Sequence, residues 1–245
     1  MNGDAAQTRI NLRTPRRWRA GLVPILLVGG CQQPNSDEMK MPPVSTGLTI
    51  AVAPALNFSG AADLDPVRVA DLLASELSQA GGWTVVPVNR TVAVLAREGK
   101  WHVESPAHAL RVAAQLGVDG VCVPGITEYD PYSPMVVGMV CQLYVLDNSP
   151  PSGGWGGAAA PITASPEALR PRLAVQTVFN AAQDRVVERL KKFAAARDAD
   201  KSPFSWRRYM VSQELFLRYC CGEMAQRLLE QERERTPVSS ASDAP

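Results

Sequence analysis

Two helix starts that contain proline constrain the fold of this chain more than any other feature. Asp65–Pro66 and Ser105–Pro106 each place a good N-cap residue before a proline. Proline suits the first helical turn because the N–H that it lacks would have no helical partner there. Gly81–Gly82 and Gly117 predict where the two helices end. Apolar residues at helical spacing predict one buried face on each helix: Val69, Leu73 and Leu77 on the first, and Leu110, Ala113 and Ala114 on the second.

Short apolar runs separate these helices and read as strands. They are "GLTIAVAP", "WTVVPV", "VDGVCVPGI" and "MVVGMVCQLYVL", and "ALNFSGAADL" reads as a loop. With a shorter helix capped by Asn89, the order is strand, helix, strand, helix, helix, strand, strand. This order predicts an α/β (α+β) fold, with helices packed on a mixed sheet of four to five strands.

The remainder of the chain predicts a single α/β domain over residues 47–232. A Gly/Pro-rich loop over 149–172 interrupts it, and "LAVQTVFNA" could return as a last strand. Two C-terminal helices follow. Leu217, Cys221, Met224 and Leu228, with Phe216 and Cys220 beside them, predict the buried face of the second. Residues 233–245 are charged and then small and polar, which predicts a disordered tail.

The N-terminal segment "RRWRAGLVPILLVGGCQQP", residues 16–34, indicates an export signal. Its apolar run, 20–28, is too short for a membrane-spanning helix, which needs about 20 residues. A basic region before such a run and small residues after it describe a secretory signal peptide, predicted over 1–30. A buried strand is the alternative reading of the run, and Arg16–Arg17 leaves export of a folded protein open. Residues 31–46 predict a flexible linker after the cleavage site.

"LVGGC" resembles the lipobox of bacterial lipoproteins. That resemblance implies cleavage between Gly30 and Cys31, and acylation of Cys31, for example with palmitate. Two or more acyl chains anchor a protein stably where one does not. The implied location is the cell envelope, lipid-anchored to a membrane and facing the periplasm. The outer membrane is favoured over the inner because Gln32, rather than an aspartate, follows the cysteine.

The net charge of the chain and the spacing of its candidate metal-binding and catalytic residues exclude several classes of protein. Removal of residues 1–30 leaves 20 basic and 23 acidic residues, a formal charge of −3, so no basic footprint for nucleic acid remains. His102 and His108 lack the spacing of a helical zinc pair and read as exposed or half-buried residues. "GxSxG" is absent, and neither "NFSG" nor "GGWGG" has the lysine of a phosphate loop. No metal, cofactor or catalytic residue is predicted, and the chain reads as a non-enzyme.

Cys122 and Cys141 lie on the third and fourth predicted strands. A symmetric hairpin centred on "DPYSP" would place them opposite each other, within reach of a disulfide. A bulge near Pro124 or Gly138 would shift the register and could separate them. The sequence leaves a disulfide and two buried thiols both open. Cys220 and Cys221 read as packed thiols in the last helix.

Two longer stretches resemble a family of bacterial envelope proteins. They are "IAVAPALNFSGAADLDPVRVADLLASELSQAGGWTVVPVNR" and "ALRVAAQLGVDGVCVPGITEYD". The family includes the curli-secretion-channel lipoproteins, the lipoprotein activators of penicillin-binding proteins and the N-terminal domain of the Tol–Pal propeller protein. The matching positions are Asn57, Ser59, Gly60, Leu73, Leu77, Arg90, Leu116, Gly117, Asp119, Gly125, Ile126, Tyr129 and Asp130.

This resemblance covers roughly residues 47–146 and implies no shared catalytic residues. It favours an acylated, non-catalytic binding or assembly factor in the cell envelope, partnered by another envelope protein or by its own kind. A subunit of an oligomeric secretion channel is an alternative. Such a channel would need extra membrane-crossing strands of about 9–11 residues, which the 149–172 loop does not supply. A small-molecule binder or hydrolase is the third reading.

Overall fold

The computed structural model describes residues 47–146, 169–197 and 203–235. The predicted signal peptide, Cys31 and the linker lie outside the described residues, as do most of the 149–172 loop and nearly all of the predicted tail. Helix α5 continues to Arg235, so the described helix extends past residue 233, where the tail was predicted to begin.

A six-stranded mixed sheet forms the centre of the fold. Its order is β3-β1-β4-β5-β6, and the two-residue strand β2 pairs with β4. The strands β1, β3 and β4 run parallel, whereas β4, β5 and β6 form an antiparallel meander. The bounds are β1 Thr49–Val52, β2 Leu56–Asn57, β3 Thr84–Val86, β4 Gly120–Asp130, β5 Val136–Val145 and β6 Leu173–Asn180.

The mixed α/β class and the order of elements agree with the sequence prediction, with one addition. The segment predicted as a loop contributes β2, which aligns Leu56 with Gly125 and Asn57 with Ile126 on β4. Asn57 then closes the turn, because its Oδ1 accepts bonds from the Ser59 N–H and hydroxyl, and its Nδ2 donates to the Ala61 carbonyl. The "NFSG" stretch is therefore a structured turn in which Gly60 has φ +74°.

Five α-helices and one 3₁₀ helix lie in the described part of the chain. They are α1 Pro66–Ala80, α2 Val88–Arg97, α3 Pro106–Leu116, α4 Asp184–Ala195, the 3₁₀ helix Ser205–Met210 and α5 Gln213–Arg235. The buried apolar residues of α1, α4 and α5 pack on one face of the sheet, and those of α3 pack on the other, together with Val94 and Leu95 of α2. None of these helices combines the length and apolar character that a bilayer-spanning segment requires.

Both predicted helix caps are confirmed. The Asp65 carboxylate accepts from the N–H groups of Val67 and Arg68, and the Ser105 hydroxyl accepts from the N–H of His108. The predicted Asn89 cap is wrong, because α2 already begins at Val88 and Pro87 is its N-cap residue. Pro87 has φ −55° and ψ 134°, so its backbone is still non-helical where the helix begins, and no side-chain hydrogen bond caps α2.

Two buried carboxylates fasten the C-terminal helices to the rest of the fold. Both oxygens of Glu76 on α1 accept from the guanidinium of Arg197, which follows α4, and Arg218 on α5 lies 3.9 Å away. Glu232 on α5 pairs with Arg172, just before β6. Each carboxylate is only 1% exposed, so its partner has to neutralise it where water cannot.

We predict that Glu76→Gln lowers the free energy of unfolding by about 3 kcal/mol, because a broken buried pair leaves an uncompensated charge. Arg68→Ala is the matched control, since Arg68 is also on α1 and pairs with Glu214 on α5, but both side chains are about half exposed. That change should cost less than about 1 kcal/mol. Urea denaturation followed by circular dichroism measures both. Equal losses in the two variants would contradict the assigned role of Glu76.

Candidate functional site

The two candidate disulfide cysteines lie next to each other but are not directly opposed. Cys122 aligns with Leu143, and Cys141 aligns with Pro124, so the pair is offset by two residues. The symmetric hairpin is therefore not formed, and the β4–β5 pair has the bulged register that the sequence left open as the alternative. Both are free, buried thiols in the structure, as are Cys220 and Cys221.

A β-bulge determines this arrangement. The β4–β5 register shifts between Ile126 and Glu128, which leaves Thr127 as the extra residue. Without that shift, Cys122 would align with the residue after Leu143 and would face away from Cys141, because side chains alternate between the faces. Gly138 makes room for the bulge, since a Cβ there would overlap Thr127 Oγ1.

The buried cysteines are poor nucleophiles in the folded protein. A hydrogen bond with the Cys122 thiol, together with burial, raises the pKa of the Cys141 thiol well above its ordinary value. Burial likewise raises the pKa of Cys220 and Cys221. Since the thiolate is the reactive form, these side chains are inert packing groups at neutral pH.

We predict that a Cys31→Ala variant shows four thiols when titrated with a chromogenic thiol reagent in denaturant without reductant. The same variant should react far more slowly when folded, because all four thiols are buried. Titration with added reductant serves as the control and should give the same number. A count of two that rises to four with reductant would mean that one disulfide forms.

The sequence interpretation of one histidine is corrected. His102 is exposed as expected, but His108 is only 1% exposed. Its Nδ1 accepts from the Glu104 N–H, and its Nε2 lies 2.9 Å from Glu98 Oε2. Proline-initiated α3 turns this side chain inward beside its own N-cap, so it belongs to the local packing. Within the described ranges, no three histidine, cysteine or acidic side chains come close enough together to hold a metal ion.

The outer edge of β6 and the cavity beside it form the candidate binding surface of this chain. This strand ends the sheet, and hydrogen bonding alternates along an antiparallel pair. The N–H of Ala181 donates to Met135, next to β5, so the even-numbered residues of β6 direct their backbone groups outward. A bond from Gln231 Nε2 to the carbonyl of Ala174 confirms this direction. Gln176 and Val178 consequently present backbone groups to which no described residue is hydrogen-bonded.

A cavity of about 340 Å³ opens beside this edge. Strand β6 forms its floor, while α4 and α5 form its wall. Tyr219 closes the inner end, where its hydroxyl donates to the carbonyl of Val186. Its lining residues are Gln176, Thr177, Val178, Phe179, Arg185, Val186, Arg189, Tyr219 and Arg227.

Three arginines line the cavity. Arg227 Nη1 donates to Thr177 Oγ1 at 2.8 Å, and Arg185 Nε donates to Gln183 Oε1 at 3.0 Å. Arg189 alone has a carboxylate partner in the described part of the chain, Glu223, at 3.1 Å. Glu230 lies in the adjoining depression. Among the described residues, Arg185 and Arg227 are therefore hydrogen-bonded only to neutral groups, which leaves both guanidinium groups able to bind an anion.

No motif in the sequence indicates this site. Arg185 and Arg189 lie one turn apart on α4, and Arg227 lies on α5, so only the folded chain unites them. The visible signal was the stretch "LAVQTVFNA", which could return as a last strand. The sites that were predicted from the sequence, Gly30 and Cys31, fall outside the described residues.

Comparison with protein-family models and with curated proteins gives no match. Among solved structures, the chain is similar to the lipoprotein GNA1162 from Neisseria meningitidis, with 16% identity and a TM-score of 0.40 over 62% of this chain and 97% of that one. It is also similar to the LpoB C-terminal domain from Escherichia coli, with 12% identity and a TM-score of 0.38 over 57% of this chain and 87% of that one. The PelC dodecamer from Paraburkholderia phytofirmans gives 18% identity and a TM-score of 0.30, over 44% and 66%. These values describe partial similarity.

Proposed function

We propose that this chain is an envelope lipoprotein that acts as a non-catalytic binding or assembly factor for another envelope protein. The observation that carries this proposal is the open edge of β6 beside the arginine-lined cavity. An exposed strand edge is a ready template for pairing with another chain, and proteins that do not use one usually cover or shorten it. Here Gln176 and Val178, in the middle of β6, direct backbone groups outward to which no described residue is hydrogen-bonded, and they adjoin a concave surface.

The proposed anchor is Cys31. Acylation there, after cleavage at Gly30, would hold the domain at a membrane facing the periplasm, with the outer membrane favoured over the inner. Residues 32–46 would then form a tether with a mean span of roughly 21 Å if flexible, from about 5–6 Å times the square root of the residue number. Such a tether places the β6 edge within reach of proteins in or on the same membrane.

We predict that the wild-type protein incorporates radiolabelled palmitate and fractionates with membranes, whereas Cys31→Ala does neither. Cys141→Ala is the matched control, because it removes a buried thiol outside the signal segment and should keep both the label and the membrane location. Labelling and fractionation of whole cells measure the outcome. A soluble, unlabelled wild-type protein would contradict the proposed anchor.

We predict that a photoreactive side chain at position 178 cross-links the membrane-bound protein to a different envelope protein. The reason is that Val178 is 49% exposed and lies at the centre of the open edge. The control is the same probe at position 101, since Trp101 is 84% exposed but lies between α2 and α3, away from β6.

Mass spectrometry of the adducts distinguishes the readings of function. A discrete adduct with one partner from position 178, and none from position 101, supports the binding factor. A ladder of adducts between copies of this chain would instead favour the oligomeric channel. The absence of any protein adduct from position 178 would contradict the proposal and would favour the small-molecule binder or hydrolase.

A further inference from the structure

We infer that the β6 edge binds an extended, acidic segment of the partner protein as an added strand, whose carboxylates are recognised by Arg185, Arg189 and Arg227. This inference rests on the proposed function, because it requires that the partner be a protein. It adds the mode of binding, the chemistry of the bound segment and the residues that select it.

The backbone of β6 limits where the segment docks. The Ala174 carbonyl accepts from Gln231, and the Asn180 carbonyl accepts from the N–H of Gln183. Between them, Gln176 and Val178 each have one outward N–H and one outward carbonyl to which no residue of the described ranges is bonded, and these groups can pair with an incoming strand. Main-chain bonds of this kind give affinity in strand addition, and pockets for alternate side chains give specificity.

The position of the arginines predicts where the acidic residues lie in the sequence of the bound segment. Thr177 and Phe179 point toward α5, because Thr177 Oγ1 accepts from Arg227 and the Phe179 ring meets Tyr219 edge-on, 5.8 Å between centroids. The arginine side chains therefore border the helix-covered side of the edge. Side chains of an added strand alternate between the two faces, so every second residue would meet this border. Acidic residues at alternate positions fit it best.

Other occupants fit less well. A second copy of β6 has the sequence "LAVQTVFN", which brings no carboxylate to the arginines. A phospholipid headgroup could neutralise the arginines, but it would leave the N–H groups of Gln176 and Val178 without strand partners. The combination of free backbone groups and guanidinium groups favours an acidic peptide over either.

The test uses two peptides of the length of β6, 8 residues. One alternates glutamate with threonine and valine, and the other has lysine in place of each glutamate. Fluorescence anisotropy measures their binding to the acylated protein in detergent micelles. The glutamate peptide should bind at least about tenfold more tightly, since its carboxylates form charge-assisted hydrogen bonds with the guanidinium groups whereas lysine is repelled by them. Equal binding of the two peptides would overturn the inference.

Variants separate the contributions of charge and backbone. Arg227→Gln and Arg185→Gln should each weaken binding several-fold to about tenfold, whereas Arg90→Gln, an exposed arginine on α2, should have no effect. Val178→Pro removes an outward N–H without breaking the β5 ladder, as edge strands tolerate proline. It should abolish binding, while Val178→Ala, which keeps the N–H, should cost far less. Wild-type affinity in Val178→Pro, or in both arginine variants, would overturn the inference.

Amide hydrogen exchange gives the decisive readout. The bound glutamate peptide should slow exchange at Gln176 and Val178 at least tenfold, because both N–H groups become bonded. Binding without slowed exchange, binding of vesicles rich in anionic phospholipid in place of the peptide, or dimers in sedimentation would each contradict strand addition by an acidic segment. A single cross-linked partner at position 178 without glutamate-peptide binding would defeat this inference and leave the binding factor standing. Peptide binding without any cross-linked partner would defeat the binding factor.

Discussion

The buried ion pair at Glu76 holds the helical layer on which the β6 cavity depends. A carboxylate that is 1% exposed is stable only when a cation neutralises it, and Arg197 does so through both of its oxygens. That contact ties the end of α4 to α1, and Arg218 brings α5 to the same point. Because α4 and α5 form the wall beside β6, the position of the arginines on that wall follows from a contact on the opposite side of these helices.

Close packing between α4 and α5 also holds these two helices together. Gly222 on α5 faces the ring of Phe193 on α4, and a Cβ there would overlap the ring. Phe193 in turn meets Tyr209 and Tyr219 edge-on, at 6.0 and 5.5 Å between centroids, and Arg197 lies 4.1 Å above its ring. The same arginine therefore neutralises Glu76 and covers an aromatic ring of the core. A change at this point would disturb charge, packing and the cavity wall together.

The local elements of this fold could be predicted from the sequence, but the contacts that shape the site could not. The Asp65 and Ser105 caps depend on neighbours within three residues, so the sequence shows them directly. The Cys122–Cys141 offset depends on a bulge at Thr127, which the strand pattern does not display because both registers bury apolar residues. The arginine cluster depends on the packing of α4 against α5. No local sequence pattern predicts which arginines of the two helices come together.

The two edges of the sheet show why β6 is the better candidate for binding. Strand β3 at the other edge has only 3 residues, a length that offers little to an incoming strand. Strand β6 has 8 residues, and arginines border it. An edge of this length without nearby charges could pair with any exposed strand. Positive charge at this border repels basic segments and cannot be neutralised by the acid-free β6 of another copy. The same residues that would bind an acidic strand therefore also discourage indiscriminate pairing, and a long edge can stay open without becoming a site of aggregation.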